Sequence, residues 1–449
     1  MLFTNERELI KNGKTSDLKK KRTHILRMLE SVIASVDPYQ AVKNCFQENL
    51  LRLGKTSYHF NDYDNIHIIG FGKASVGMAQ AICDYTSITS GAVITNDKNA
   101  QIKSKKMLTF HGGHPLPDEE SIRGAKYIKN IASNCEKKDL LIVLISGGGS
   151  ALLCHPRIGL SDLQQTTKLL LASGATIEEI NTIRKHISFV KGGQLIKSTK
   201  CPVVSLIISD IVDDPIEFIA SGPTAADSTT FQDAKQVFER YKLWNEIPAS
   251  VKTIITKGIN HQLPETPKAD NPIFQRVHNS IIANNQRACE TAKTTAEKLG
   301  YHPTILTTSL TGEAKDKGNW LLTKIKEPSY QKNDVFIMGG ETTVTIHGSG
   351  KGGRNQELML GCLYELAKTK GAMASFATDG IDGASTAAGA IADNHSLKRC
   401  KDLHLNPDAY LHDNNSNALF DQLHDLFLTG PTGTNVMDIQ ILIRSIQKE

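Results

Sequence analysis

A lysine set inside a glycine turn, HIIGFGKASVGMAQAI (67–82), is the first feature of the chain with clear chemical potential. A turn built on Gly70 and Gly72, between an apolar run and a helical pattern, aims backbone N–H groups and a helix start at whatever lies above it. That geometry suits a phosphate or a carboxylate, and Lys73 adds a point charge at the same place. The spacing is neither G-x-G-x-x-G nor a Walker A loop, and a tight turn with a solvated lysine accounts for it equally well. LISGGGSALL (144–153) repeats the device: Ser146, Gly147, Gly148, Gly149 and Ser150 close a second apolar run and leave bare backbone for close approach. In NTIRKHISFVKGGQL (181–195), Arg184 offers a guanidinium that can grip a carboxylate through two parallel hydrogen bonds. Taken alone, such a cationic helix face is more often solvated surface.

LIISDIVDDPIEFIASGPT (206–224) places Asp210 just beyond an apolar run, with Asp213 and Asp214 close behind. Carboxylates at the C-terminal edge of a parallel sheet stand where ligands bind, and they hold Mg²⁺ or orient a hydroxyl. In GGETTVTIHGSGKGGRNQELML (339–360) a glycine-rich hairpin leads into a helix opened by Arg354, Asn355, Gln356 and Glu357. A cation at a helix start opposes the macrodipole unless an anion sits between them, so Arg354 predicts a bound anion. ATDGIDGASTAAGAIAD (377–393) carries Asp379 and Asp382 on another glycine loop, as metal ligands or as turn formers. Several anion-suited loops, one lysine, two arginines and loop aspartates together fit phosphoryl transfer. That reaction needs positioning, charge neutralisation and a metal, and little covalent machinery.

Elements must hold these loops. Six apolar runs, HIIG (67–70), GAVIT (91–95), LLIVLIS (140–146), PVVSLIIS (202–209), DVFIMGG (334–340) and MASFATDG (373–380), are continuous rather than alternating. Continuous runs predict strands buried on both faces, hence mostly parallel sheet in an α/β fold. A chain of 449 residues predicts two domains. Between Phe231 and Gln275 the strand–helix rhythm lapses amid Pro248, Pro264, Pro267 and Pro272, which predicts a boundary region there. The expectation is two α/β domains, residues 1–265 and 266–449, with the active site in the cleft between them. A net charge of +5 without a long basic run argues against nucleic acid as a partner. Eight cysteines without a C-x-x-C pair predict reduced thiols. No apolar stretch has the length of a membrane span, and the charged N-terminus lacks an apolar signal core. These features predict a cytoplasmic monomer or homodimer acting on small molecules.

Read in order, GFGKASVGMA, GGHPLPDEES, LISGGGSALL, NTIRKHIS-x-x-KGGQL, IASGPT, GGETTVTI-x-G-x-GKGGRNQEL and TGPTGTNVMD resemble the MOFRL-type (class II) glycerate 2-kinases. The resemblance implies ATP-dependent, Mg²⁺-assisted phosphorylation of D-glycerate to 2-phospho-D-glycerate. It also implies a larger N-terminal, Rossmann-like three-layer α/β/α sandwich (DUF4147-like), followed by an α/β domain with the MOFRL region at about residues 332–443. Lys73 and Arg354 match the family's proposed catalytic cations. Asp210 matches the aspartate of its Ser-Asp segment, which we read as metal ligand or base, with Asp379 as a second metal candidate. Gly70, Gly72, Ser146–Ser150, Arg184, Asn355 and Glu357 would then contact phosphate or glycerate. Loss of Lys73 or Arg354 is expected to lower kcat with limited loss of stability. Ile211 to Asp214 is shorter than the family's loop and lacks its glycine, which weakens any metal role for Asp213 or Asp214. Two other readings stand beside this one. Gly70-x-Gly72 and a second strand ending at Asp97 superficially suit an NAD(P)H-dependent hydroxypyruvate reductase. A non-catalytic sensor of sugar acids or nucleotides would keep the cradle without turnover.

Overall fold

The computed structural model describes residues 2–445. The chain forms two compact units. One runs from Pro38 to Ile282; the other joins the residues up to Asp37 with those from Ala283 onward.

In the first unit, a small antiparallel meander, β1 (Phe46–Gln47), β2 (Leu50–Leu53) and β3 (Thr56–His59), precedes the main sheet. That sheet comprises β4 (Ile66–Phe71), β5 (Ser90–Thr95), β6 (Met107–His111), β7 (Leu140–Ile145), β8 (Val203–Ile208) and β9 (Val277–Ala283), in the order β6-β5-β4-β7-β8-β9. The pairs from β6 through β8 are parallel. Every residue of β7 and β8 is buried, as their unbroken apolar runs require. Successive side chains point to opposite faces. Ile69 and Phe71 join Ala125, Ile128 and Ala132 of helix Glu119–Asn134 in one core cluster. On the other face Gly70 leaves room for Ser75, at the start of helix Ser75–Tyr85. The result is the expected α/β/α sandwich. The chain leaves β4 toward β5 and β6, then returns to build β7 and β8 on its other side. The C-terminal ends of β4 and β7 therefore form a topological switch point, the usual ligand crevice of such sheets.

The stretch from Phe231 to Gln275 is no boundary. Helices Phe231–Arg240 and Ala249–Ile259 pack with Leu170, Ile180 and Ile183 in a separate helical core of the same unit.

The second unit carries β10 (Pro303–Leu310), β11 (Val335–Gly340), β12 (Gly371–Ala377), β13 (Gly389–Asp393) and β14 (Asp438–Arg444), in the order β10-β11-β14-β12-β13. Only β10 and β11 pair in parallel; the other three pairs are antiparallel. The continuous apolar runs nonetheless report burial correctly. Met338 lies in the core that holds Leu358 and Met359 of helix Arg354–Gly361, while Gly339 abuts Asn285 and Cys289 of helix Asn285–Lys298. Helices on both faces, and not strand direction, make the strands uniformly apolar.

The observed division at 282/283 differs from the expected one at 265/266, and the first 37 residues join the C-terminal unit. Arg22, fully buried in helix Ser16–Ser35, explains the latter. Its Nε donates to Asp393 Oδ2 at 2.7 Å and its Nη1 to Asp425 Oδ1 at 2.7 Å. Removing one partner of such a buried ion pair is strongly destabilising, so this helix is fixed to the unit that supplies the carboxylates. Among the described residues, no helix is long and apolar enough to cross a membrane.

Candidate active site

The turn after β4 differs from the expected cradle. Its amides are spent inside the protein: Gly72 N donates to Ile94 O at 3.1 Å, Lys73 N to Gly147 O at 2.9 Å and Ala74 N to Ser146 Oγ at 3.1 Å. Ser75 N takes Gly72 O at 3.2 Å. Gly72, at φ +120°, is required because a Cβ there would collide with the Ser146 hydroxyl. This turn and the loop after β7 are thus locked together. The same bonding removes the donors that a dinucleotide pyrophosphate would need, so the reductase reading loses its structural basis. Asp97 is likewise a turn former, accepting from Asn99 N at 2.9 Å.

The loop after β7 keeps amides that the protein does not use. Gly149 N is used by Ser146 O, but the amides of Gly147 and Gly148 have no partner among the described residues. Three side chains converge over them. A Cβ on Gly147 would meet Asp210 Oδ2; one on Gly148 would lie 3.1 Å from His114 Cδ2 and 3.4 Å from Lys73 Cγ. Lys73 itself is exposed. His114 faces solvent on one side and packs over the loop on the other. That packing, then the Lys73 ammonium, push it below its ordinary pKa, so it is a neutral base near pH 7. Gly148 adopts φ +81°, so Gly148→Ala is expected to strain the turn by about 1–2 kcal/mol and to displace His114 and Lys73. Turnover should fall about tenfold or more, beyond what a modest fall in Tm explains, since small misplacements of reacting groups are costly. Wild-type kcat in that variant would show that the loop is only structural.

Next to the loop lies a recess lined by Ser150, Cys154, Arg184 and Lys191. Arg184, near the C-terminal end of helix Ile177–His186, has no hydrogen-bonded or ionic partner among the described residues, and burial lowers its pKa. Lys191 is 5% exposed and donates to Ser150 O at 2.7 Å. Burial chiefly, with the neighbouring Arg184, pushes it down to about 7 against the opposing pull of Cys154. A buried cation without a protein carboxylate is costly and calls for an external anion. Ser150 Oγ shares a 2.9 Å bond with Ser221 Oγ, and Ser221 donates to Asn181. Ala220 and Ser221 sit at left-handed φ of +52° and +63°, a strained support beneath the loop.

The second unit holds Arg354 differently from expectation. Its Nε and Nη2 donate to Asp438 Oδ2 and Oδ1 at 2.5 and 3.0 Å, and its Nη1 pairs with Glu341 at 2.7 Å. The anion at the helix start is the protein's own Asp382. This buried carboxylate accepts from the backbone amides of Asn355 and Gln356 at 3.0 and 2.9 Å and from both their side chains. Arg354 remains partly exposed, at 30%, on a recess that Glu357, Glu341 and the glycine hairpin also line. Burial pushes the Asp438 carboxyl up to about 7 against the pull of Arg354.

Several of the residues expected to contact ligand also make packing or scaffold contacts. Gly70 sits within β4 against Val93 and Leu144, and Gly149 leaves room for Ala220 and Phe71. Asn355 is buried, holding Asp382 and accepting from Ser375 Oγ at 2.5 Å. Glu357 accepts from Asn414 at 3.0 Å, and burial raises its pKa. Asp379 accepts from Ile381 N at 3.1 Å, as a turn former does. His114, Lys191, Glu341 and Asp438 were missed as site residues. All four lie inside strings that stand out in the sequence, GGHPLPDEES, KGGQL, GGETTVTI and TGPTGTNVMD, without individual roles.

Mg²⁺ commonly keeps several waters and binds through one or two carboxylates plus substrate phosphates. Asp210, half-buried with a carboxylate oxygen beside the Gly147 Cα, is a carboxylate of that kind. Asp379, whose Oδ1 accepts from Ile381 N, is a second such carboxylate.

The family model described as "Domain of unknown function (DUF4147)" matches residues 24–256, and that of the MOFRL family matches residues 334–438. Glycerate 2-kinase of Pyrococcus horikoshii is 41% identical over 426 residues, covering 93% of this chain and 96% of its own. D-glycerate 2-kinase of Thermotoga maritima is 36% identical over 427 residues, with the same coverage of 93% and 96%. The crystal structure of glycerate kinase from Thermotoga maritima superposes with a TM-score of 0.83 at 34% identity, covering 94% of this chain and 99% of that one.

Proposed function

Because the chain belongs to the MOFRL-type, class II glycerate kinase family, we propose that it transfers the γ-phosphoryl group of ATP to the 2-hydroxyl of D-glycerate. It is an ATP-dependent small-molecule kinase. The observation that carries the residue assignment is the convergence of Lys73, His114 and Asp210 over two unspent amides, beside a recess with an unpaired arginine.

In this reading Arg184 and Lys191 hold the glycerate carboxylate, with Ser150 at the junction to the glycine loop. His114 Nε2 takes the proton of the 2-hydroxyl. The Gly147 and Gly148 amides and Lys73 stabilise charge on the transferring group, where preorganised donors are most effective. Arg354, oriented by Asp438 and Glu341, keeps spare N–H donors for the nucleotide phosphates. Asp210 would hold Mg²⁺, with Asp379 as the second candidate; when bound, the ion neutralises phosphate charge. The reading includes a cytoplasmic monomer or homodimer, with no disulfide among its eight cysteines. NMR of the product formed from ATP and D-glycerate tests the reaction. 2-Phospho-D-glycerate is expected. A 3-phosphorylated product would correct the position, and saturable ligand binding without ADP release would favour a sensor.

The carboxylate site has its own pH signature. Lys191, with a pKa lowered to about 7, loses its charge as pH rises through that value, so glycerate binding weakens upward. KM for D-glycerate should climb between about pH 6 and 9 while KM for ATP changes little. Lys191→Arg should flatten the profile. Arg184→Ala should raise KM for glycerate about 10- to 100-fold, the cost of a lost charge-assisted pair. An unaltered KM in Arg184→Ala would move the carboxylate elsewhere.

A further inference from the structure

Four potential metal ligands gather at the N-terminal edge of the six-stranded sheet, opposite the glycine loops. His67 is the second residue of β4, Asp139 immediately precedes β7, and Cys201 stands two residues before β8. Cys135 caps the C-terminal end of helix Glu119–Asn134. One ligand atom each from His67, Cys135 and Asp139 lies within 4.8 Å of the others, and no other such group of histidine, cysteine and carboxylate occurs among the described residues. The Cys135 thiol donates to Ile131 O at 3.3 Å, and Cys201 stands beside Cys135 as a fourth candidate ligand. Both cysteines are 1% exposed or less.

The surroundings orient these groups as metal sites do. Ser90 Oγ bonds His67 Nδ1 at 2.9 Å, which leaves Nε2 aimed at Asp139, 3.7 Å from its Oδ2. Asn65 Nδ2 and Glu136 N fix Asp139 from the other sides at 2.9 and 2.7 Å. Asp139 has a side-chain exposure of 6% and no lysine or arginine partner among the described residues. A buried carboxylate without a cation is costly, and such groups are paired or coordinate metals.

We propose that His67, Cys135, Asp139 and Cys201 bind one Zn²⁺ per chain as a structural clip across the starts of β4, β7 and β8. The set of one imidazole, two thiolates and one carboxylate supplies four ligands of the kinds zinc takes in closed structural sites. On binding, each thiol releases its proton to solvent and the metal takes the sulfur lone pair, with no redox change. The clip holds the sheet from the edge remote from Lys73 and Asp210, so it supports the scaffold rather than the reaction.

The test uses the full-length protein, stripped with a chelator and titrated with Zn²⁺ or Co²⁺. One equivalent should bind, the Co²⁺ complex should show thiolate-to-metal charge-transfer absorption, and Zn²⁺ should raise Tm. Ser90→Ala should weaken binding about 10- to 100-fold. The double variant Cys135→Ser/Cys201→Ser should lose the charge-transfer band and the Tm gain while retaining wild-type kcat. The proposal is overturned if the unmutated chain gives no saturable binding or a cobalt spectrum without thiolate bands. Unchanged affinity in the double variant would overturn it too. So would a purified chain lighter by two hydrogens, with these thiols joined as a disulfide that excludes metal. Should the double variant not fold, the cobalt spectrum of the unmutated chain decides the matter alone.

Discussion

Lys73→Ala should lower kcat by about 10²-fold or more while the protein unfolds at nearly the same temperature. The side chain is exposed, and what its residue contributes to the fold is the backbone bond from its amide to Gly147 O, which alanine keeps. Surface changes of this kind cost within about 0.5 kcal/mol. The ammonium, by contrast, has its Cγ against Gly148, beside the two amides that no protein group uses. A cation there acts on charge that appears only as the phosphoryl group moves, so the loss belongs in kcat and not in KM for glycerate. Lysine also depresses the His114 pKa. Its removal should therefore shift the acid limb of the pH–rate profile upward, as a base freed of a neighbouring positive charge holds its proton to higher pH. A variant with normal turnover and an unmoved acid limb would show that this lysine takes no part. His114→Asn should lose the acid limb altogether, which separates proton transfer from charge stabilisation.

How much of this site the sequence revealed depends on how local its causes are. The strands of the first unit were legible because burial on both faces imprints an unbroken apolar run, as in LLIVLI of β7. The same signal misled in the second unit, where β12 and β14 are equally apolar yet antiparallel, because periodicity records burial and not direction. The place of the N-terminal helix rests on Arg22 meeting Asp393 and Asp425, partners far along the chain that no window of sequence can pair. The glycine loops show the limit most clearly. GFGK and SGGGS promise the same exposed backbone, but only the structure shows one consuming its amides to hold the other in place. Arg354 at a helix start was correctly read as requiring an anion. The anion is Asp382, brought in by a loop that sequence reasoning treated separately.

That pairing changes what the loss of Arg354 should do. The expectation from sequence was a catalytic defect with limited loss of stability; the geometry predicts both. Arg354→Ala leaves the fully buried Asp438 without its bidentate partner, and breaking a buried pair in this way costs about 3 kcal/mol. The pH dependence follows from the carboxyl. Asp438 already has a folded pKa of about 7, above its ordinary value, because burial outweighs Arg354; without the arginine it rises further. A folded state that binds more protons than the unfolded one loses stability as pH rises through that interval. The variant should therefore be most destabilised above about pH 7 and should recover toward pH 5, where Asp438 is protonated in the fold. Denaturant titrations at several pH values measure this directly. Arg354→Ala/Asp438→Asn should regain much of the lost stability without regaining turnover, since it removes the stranded charge but restores no donor for phosphate. If the double variant regains turnover together with stability, Arg354 is a scaffold residue. If the single variant is as stable as the wild type at pH 8, the bidentate pair does not carry the energetic weight its geometry implies.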